Sequence, residues 1–347
     1  MRETRKKILV TGGAGFIGSH TVVALHEAGY DPVVLDDLSN SQASALEGIA
    51  GILGRQVPFY EGRCQDEGVL RRVFKETGPI EGVIHFAASK AVGESVQKPL
   101  DYYQNNLEAL IAVLRAMSAY GVEDLVFSSS ATVYGQPDPL PATEQSPVQE
   151  ASSPYGNTKK IGEDIIRDTV GSGAALKAMA LRYFNPIGAH PSGLIGELPL
   201  GVPNNLVPFI TQTAAGVREV LTIFGDDYAT IDGTCIRDYI HVMDLAEAHV
   251  KAMSYLERVS GKEGVFEVVN IGTGRGQTVL ELVKTFERVN QLKLNYVIGS
   301  RRPGDVASIY AAVDKAEQLL GWRARKSLEE ALKDAWRWQR QLMKERG

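Results

Sequence analysis

Two hydrophobic rhythms alternate along the first half of the chain. Short β-branched runs give way to stretches with apolar residues three and four apart, as in parallel βαβ units. The runs predict strands at Lys7–Thr11, Pro32–Leu35, Val57–Tyr60, Gly82–Phe86, Asp124–Ser129 and Ala178–Arg182. The helical stretches predict Ile17–Ala28, ended by Gly29, then Glu67–Thr77 and a long helix Tyr102–Tyr120 stopped by Gly121. A polar, proline-rich loop (Gln136–Pro154) leads to another helix opening at Tyr155.

After about Asn185 the rhythm changes. Pro186–Pro208 is rich in glycine and proline and has neither period, and loops of that length are usually functional. Leu221–Phe224 then reads as a short strand. Tyr239–His241, the helix Asp244–Leu256 and Val268–Ile271 read as elements returning to the first sheet. Thr278–Val289 and Leu328–Met343 are amphipathic helices of a smaller lobe. The predicted fold is α/β: a doubly wound parallel sheet of the Rossmann type with a smaller C-terminal α/β substrate lobe. The expected division is 1–185, with returning elements at about 238–271, against 186–347.

Composition narrows the function. The 347 residues have room for one large α/β domain or two modest lobes. A net charge of -5 gives no basic surface for nucleic acid. No apolar run approaches bilayer length, and the charged start Met1–Lys7 meets only the short run Ile8-Leu9-Val10, too brief for a signal-peptide core. Two cysteines, Cys64 and Cys235, are too few for a disulfide framework and suit a reducing, cytoplasmic setting. His20, His26, His85, His190, His241 and His249 do not cluster in sequence, so they read as packing or surface residues and no metal is expected.

Candidate chemistry begins at the first strand. Gly12, Gly15 and Gly18 satisfy G-x-x-G-x-x-G, and Gly13, Gly15 and Gly18 the looser G-x-G-x-x-G, between a predicted strand and a predicted helix. Glycines there let the backbone approach a pyrophosphate, which the helix N-terminus favours; Phe16 and Ile17 complete the turn. Asp36 ends the second strand near the offset expected for a carboxylate on the adenosine ribose, with Asp37, Asn40 and Ser41 as a polar rim. That carboxylate repels a 2′-phosphate and so predicts NAD over NADP.

Further on, Tyr155 and Lys159 stand four residues apart, on one face of a helix. A phenol with pKa near 10 is a poor base at neutral pH, and a fixed positive charge favours its ionised form. Bringing that value to neutrality needs on the order of 4 kcal/mol of charge stabilisation, from the lysine and a cationic nicotinamide ring together. The pair follows the serine segment Ser128-Ser129-Ser130-Ala131-Thr132-Val133-Tyr134-Gly135.

With these parts assembled, the chain resembles the extended short-chain dehydrogenase/reductase family, and within it the nucleotide-sugar 4-epimerases. The resemblance rests on the serine segment, Phe86–Ser95, Arg182–Pro186, Pro203–Leu206, Arg237–Asp244 and Arg301–Asp305, and covers nearly the whole chain. It implies reversible epimerisation at C4 of a UDP-hexose, UDP-glucose or UDP-galactose, by transient oxidation with bound NAD. In that scheme Tyr155 is the general base and later the general acid, Lys159 lowers its pKa, and Ser130 and Thr132 bond the reacting oxygen. Phe86, Ala87, Ala88, Lys90, Asn105, Phe184 and the region of Cys64 line the cofactor. Tyr183, Asn185, Asn205, Leu206, Phe224, Arg237, Arg302, Asp305 and Ile309 hold UDP and the hexose. Arginine forks suit phosphate oxygens, and asparagine amides suit sugar and uracil edges. The resemblance also implies a homodimer, to which apolar faces on Tyr102–Tyr120 and Tyr155–Thr169 are suited.

Two positions depart from the family pattern. Relatives carry Gly-Asp after the third strand, where the carboxylate accepts from the adenine amino group; here Gly62 is followed by Arg63, which has no acceptor. Backbone near Cys64, Gln65 or Asp66 is left to substitute, and a more exchangeable NAD is expected. Ile309 stands where, in the family, a bulky aromatic excludes N-acetylated sugars and a smaller residue admits them; isoleucine is intermediate in size, which leaves a side activity on UDP-N-acetylhexosamines open. Rival activities stay open: a UDP-glucuronate or UDP-pentose 4-epimerase, a plain dehydrogenase or reductase, and a dehydratase, although the latter's acidic pair is replaced by Val133 and Tyr134 after Thr132. A catalytically dead dinucleotide sensor would typically have lost the tyrosine or the lysine.

Overall fold

The computed structural model describes residues 5–149, 151, 153–261, 263–302 and 304–346. The expectations for Met1–Thr4 and for Pro303, and two residues of the polar loop, Glu150 and Ser152, lie outside these. In chain order the elements are β1 (Lys7–Thr11), α1 (Phe16–Glu27), β2 (Asp31–Asp36), α2 (Ser44–Leu53), β3 (Phe59–Glu61), α3 (Glu67–Thr77) and β4 (Gly82–His85). Next come α4 (Val92–Gln97), α5 (Pro99–Tyr120), β5 (Asp124–Ser130), α6 (Pro154–Gly171), β6 (Lys177–Tyr183), β7 (Asn185–Ile187) and α7 (Leu206–Ala214). The remainder are β8 (Leu221–Phe224), β9 (Ile236–Arg237), β10 (Tyr239–His241), α8 (Val242–Arg258), β11 (Val265–Ile271) and β12 (Gln277–Thr278). The last are α9 (Val279–Asn290), β13 (Tyr296–Gly299), β14 (Ser308–Ile309), α10 (Asp314–Leu320) and α11 (Leu328–Arg346).

Seven parallel strands form the central sheet in the order β11-β6-β5-β4-β1-β2-β3. Both faces are apolar, as a doubly wound sheet requires. Ile8, Val10, Val34, Ile84 and Val126 meet α1 and α8 on one side. Leu9, Val33, Val83, Leu125 and Phe127 meet α3, α5 and α6 on the other. A third core, around Ile210, Leu282, Phe286 and Leu332, holds the smaller lobe. A fourth joins the two, packing Ala131, Val133 and Tyr134 against Phe184 and Ile309.

Most boundaries fall within a residue or two of expectation, and the exceptions have local causes. α5 starts at Pro99 because proline suits the first helical position. β3 begins only after Pro58, which cannot donate to a ladder. α2 was not expected because Gly48 and Gly51 interrupt it. Gly48 is needed there: a Cβ would collide with the carbonyl of Leu194 from the smaller lobe. α7 begins in the last three residues of the stretch expected to be irregular, and its Pro208 falls in the first turn, where a missing N–H costs nothing. One expectation is corrected by topology. β11 rejoins the first sheet beside β6, but Tyr239–His241 does not; it pairs in parallel with β7. Among the described residues no helix is long and apolar enough to cross a membrane, and no group of three or more His, Cys, Asp or Glu side chains could hold a metal ion.

Candidate active site

The turn between β1 and α1 is too tight for side chains. Gly12 has φ +71°, and a Cβ on it would lie 2.8 Å from the backbone nitrogen of Ala87. A Cβ on Gly18 would strike the carbonyl of Gly12. Gly15 is the N-cap of α1 and has no side chain to cover the first-turn N–H groups, which therefore face outward as an anion cradle. Asp36 closes the other side. Its carboxylate accepts from Ala14 N (3.0 Å), Leu38 N (2.9 Å) and Ser41 Oγ (2.8 Å). Of about four lone-pair sites, roughly one remains for a ligand hydroxyl. A dinucleotide fits this chemistry.

The same cleft, of about 310 Å³, is floored by Ser130, Thr132, Tyr155 and Lys159. β5 delivers Ser130, a 3₁₀ turn over Ala131–Tyr134 delivers Thr132, and Thr132 Oγ1 donates to Ser130 Oγ at 3.0 Å. Tyr155 stands in the first turn of α6, whose N-cap Ser153 and N1 Pro154 fix the helix start. Lys159 follows one turn later and Glu163 one turn after that. Glu163 is buried and locks α6 to the sheet. It accepts from Ser129 Oγ (2.5 Å), Arg182 Nε (2.9 Å) and Arg182 Nη2 (2.5 Å).

Burial governs the two titrating groups. It pushes the Tyr155 phenol up to about 12, opposed only by a hydrogen bond with Ser130. It pushes the Lys159 ammonium down to about 7. The ammonium lies 5.8 Å from the centre of the Tyr155 ring and 5.2 Å from that of Phe127. With protein groups alone, the cleft thus favours the neutral form of the phenol, and a further positive charge is needed to ionise it.

Most of the other expected residues fall into two groups. Phe16, Ile17, Asp37, Asn40, Ser41, Cys64, Phe86, Ala87, Ala88, Lys90, Asn105, Tyr183, Phe184, Asn185 and Asn205 all line the cleft. Phe224, Arg237, Arg302 and Asp305 form a separate cluster on the smaller lobe. There Arg302 forks onto Asp305 (3.0 and 3.2 Å), Arg237 Nη2 lies 3.6 Å from the same carboxylate, and the Arg302 guanidinium lies 5.7 Å from the Phe224 ring centre. Leu206 opens α7, directly after Asn205. Ile309 does not line the cleft; it is buried beside Phe184, and its register partner is Arg237, so it links the cluster to the catalytic floor.

Sequence reasoning missed several contributors. Glu197 accepts from Asn205 Nδ2 (2.5 Å) and faces Lys90 Nζ at 3.5 Å, bridging two lining residues from different lobes. Its own carbonyl takes the Trp338 indole N–H at 3.0 Å. Nothing local announces it, since its loop has no period. Asp66 does not replace the missing carboxylate after β3, because it caps α3 by accepting from Gly68 N and Val69 N. The next cleft residue, Gln65, is tied to Asn105.

A dinucleotide turn and a half-buried tyrosine paired with a buried lysine, under a serine–threonine edge, define an extended short-chain dehydrogenase/reductase. The family model for GDP-mannose 4,6 dehydratase matches residues 9–335. The chain belongs to that family and, within it, to the UDP-glucose 4-epimerases. It is 53% identical over 332 residues to the UDP-glucose 4-epimerase of Bacillus subtilis (strain 168), covering 96% of each chain. It is similar to the crystal structure of UDP-glucose 4-epimerase from Bifidobacterium longum in complex with NAD+ and UDP, with TM-score 0.92, 44% identity and coverage of 97% of this chain and 98% of that one. It is likewise similar to UDP-glucose 4-epimerase from Stenotrophomonas maltophila with bound NAD and formylated UDP-arabinopyranose, with TM-score 0.94, 44% identity and coverage of 98% and 100%.

Proposed function

We infer that this chain catalyses the reversible epimerisation of UDP-hexoses at C4, interconverting UDP-glucose and UDP-galactose with NAD bound. What carries the assignment is the convergence of Ser130, Thr132, Tyr155 and Lys159 on the cleft that the glycine turn and Asp36 also line. When bound, the oxidised nicotinamide accepts and returns a hydride and brings a positive charge into a buried site. The uncapped N–H groups of α1 and the Gly12–Gly18 turn would hold the pyrophosphate, and Asp36 the ribose.

The chain's own residues then divide the work. Tyr155, whose neutral form burial favours, becomes a competent base when the charge beside it rises, and it holds the proton of the C4 hydroxyl between the two half-reactions. Ser130 and Thr132, already hydrogen-bonded to each other, orient that oxygen. Lys159 supports the phenolate. Arg237 and Arg302 take the diphosphate, and Asp305, now bonded to Arg302 and close to Arg237, keeps them forked toward it. Asn185 and Asn205 meet polar edges of the ligand, and Leu206 and Phe224 its apolar faces. Firm anchoring at the nucleotide end leaves the hexose free to turn and present its other face.

Thr132 is followed by the buried Val133 and Tyr134, so no acid stands where a dehydratase would carry one. Residues 1–185 with the elements near 238–271 serve NAD, and the remainder mainly serves the sugar nucleotide. We place the enzyme in the cytoplasm, where the two buried free cysteines stay reduced. We also propose a homodimer through α5 and α6, where Leu100 and Ile111 of α5 are exposed. The test is conversion of UDP-galactose with no NAD added, UDP-glucuronate and a UDP-pentose run in parallel. Full activity in Tyr155→Phe would end the assignment of the base, and faster turnover of either parallel substrate would replace the hexose.

A further inference from the structure

Beyond Asp36 the cleft changes character. The strand order β1–β2–β3 sets the Gly62–Gln65 turn beside Asp36, and Gly62 N donates to the Asp36 carbonyl at 3.1 Å. A nucleoside whose ribose meets the Asp36 carboxylate carries its base toward this turn. Leu35, Cys64 and Ala109 give apolar walls there, and Arg63, Gln65 and Asn105 give the polar groups.

The acceptors of Asn105 and Asp37 at this end are already engaged. Asn105 Oδ1 takes Arg63 Nη2 (3.2 Å) and Gln65 Nε2 (3.0 Å). Asp66 turns Oδ1 to the cap of α3 and does not line the cleft. Asp37 Oδ1 accepts from the backbone and hydroxyl of Ser39, and its Oδ2 faces Arg63 Nε at 3.9 Å. Donors are in surplus. The Arg63 side chain is 60% exposed, and its Nη1 has no partner among the described residues. A 6-aminopurine offers an amino donor beside N7, which amides match; a 6-oxopurine offers the acceptors O6 and N7, which a guanidinium fork matches.

We propose that Arg63 reads the base of the bound dinucleotide and makes the site accept a 6-oxopurine at least as well as adenine. The proposal rests on the NAD assignment above and adds to it the recognition of the base. It also gives the reason for the more exchangeable NAD expected from the sequence, since the adenine amino group meets no uncommitted carboxylate.

The test is competition on the full chain after removal of bound dinucleotide. The protein is offered equal NAD and nicotinamide hypoxanthine dinucleotide, desalted and denatured, and the retained dinucleotides are quantified by mass spectrometry. Wild type is expected to retain the hypoxanthine form in equal or greater amount. Arg63→Asp and Arg63→Gln are expected to move the ratio at least tenfold toward NAD with unchanged melting temperature, as befits an exposed side chain. A tenfold preference of wild type for NAD, or a ratio that neither variant moves, would overturn the proposal. Tight retention of NADP that Arg63→Asp abolishes would assign the guanidinium to a 2′-phosphate and overturn it too. Failure of wild type to retain any dinucleotide would instead strike the cofactor assignment itself.

Discussion

The catalytic floor and the arginine cluster of the smaller lobe handle charge in opposite ways. In the floor, Glu163 and Arg182 are buried, face each other with two bonds, and hold α6 against β5 and β6. In the lobe, Arg302 is 56% exposed, and its one ion-pair partner among the described residues is the nearby Asp305. A buried pair is costly to break and so fixes geometry. An exposed pair contributes about 0–1 kcal/mol and so can rearrange at little cost. Hydride and proton transfer need the first kind of site, and capture of a nucleotide needs the second.

The contrast sets the order of expected effects. Tyr155→Phe removes the proton acceptor, and kcat is expected to fall roughly 10²–10⁴-fold with little change in KM, measured by UDP-galactose conversion. A loss confined to KM would move Tyr155 out of the chemistry. Glu163→Gln is expected to destabilise the fold by about 3–5 kcal/mol in denaturant unfolding, because it leaves Arg182 charged and buried. A change under about 1 kcal/mol would make the floor no more rigid than the lobe. Arg302→Ala is expected to do the reverse: a KM increase of roughly 10- to 100-fold, from losing a charge-assisted contact worth about 1.5–3 kcal/mol, with the melting temperature unchanged.

Lys159→Met separates stability from activity at one position. Burial holds the lysine's folded pKa at about 7, below its unfolded value, so the unfolded chain binds more protons between the two. Its penalty on folding is complete below about pH 7 and fades as pH climbs toward the unfolded value. Lys159→Met is therefore expected to lose activity yet to raise the melting temperature of the dinucleotide-free protein, more at pH 6 than at pH 9. Equal shifts at both pH values would contradict a buried, charge-paying lysine. The smallest effect concerns Ile309. Being buried behind Phe184, it acts on the pocket at one remove, so Ile309→Tyr is expected to reduce turnover of UDP-N-acetylglucosamine more than that of UDP-glucose in side-by-side assays.

Local spacing made the floor legible. Glycines at fixed offsets, a carboxylate ending β2 and a tyrosine four residues before a lysine each have a meaning that the adjoining strand or helix supplies. Residues that act across the fold left no such trace. Glu197 lies in an aperiodic loop, and its partners Lys90 and Asn205 are brought to it only by tertiary packing. Tyr239–His241 reads as any buried strand, and nothing in three residues says whether its partner is β6 or β7. α2 was hidden by glycines whose purpose is contact with Leu194, a residue far along the chain. The enclosure of Tyr155 and Lys159 was likewise invisible; it strengthens the phenol's preference for its neutral form and weakens the lysine's hold on its proton.

The indole of Trp338 holds the carbonyl of Glu197, and Gly196 has no room for a side chain because that same ring lies against it. α11 therefore finishes a loop that borders the cleft. During synthesis, the glycine turn, the floor and the loop itself all leave the ribosome before α11 does. The latch between Lys90 and Asn205 therefore lacks its support until the C-terminal helix has been made.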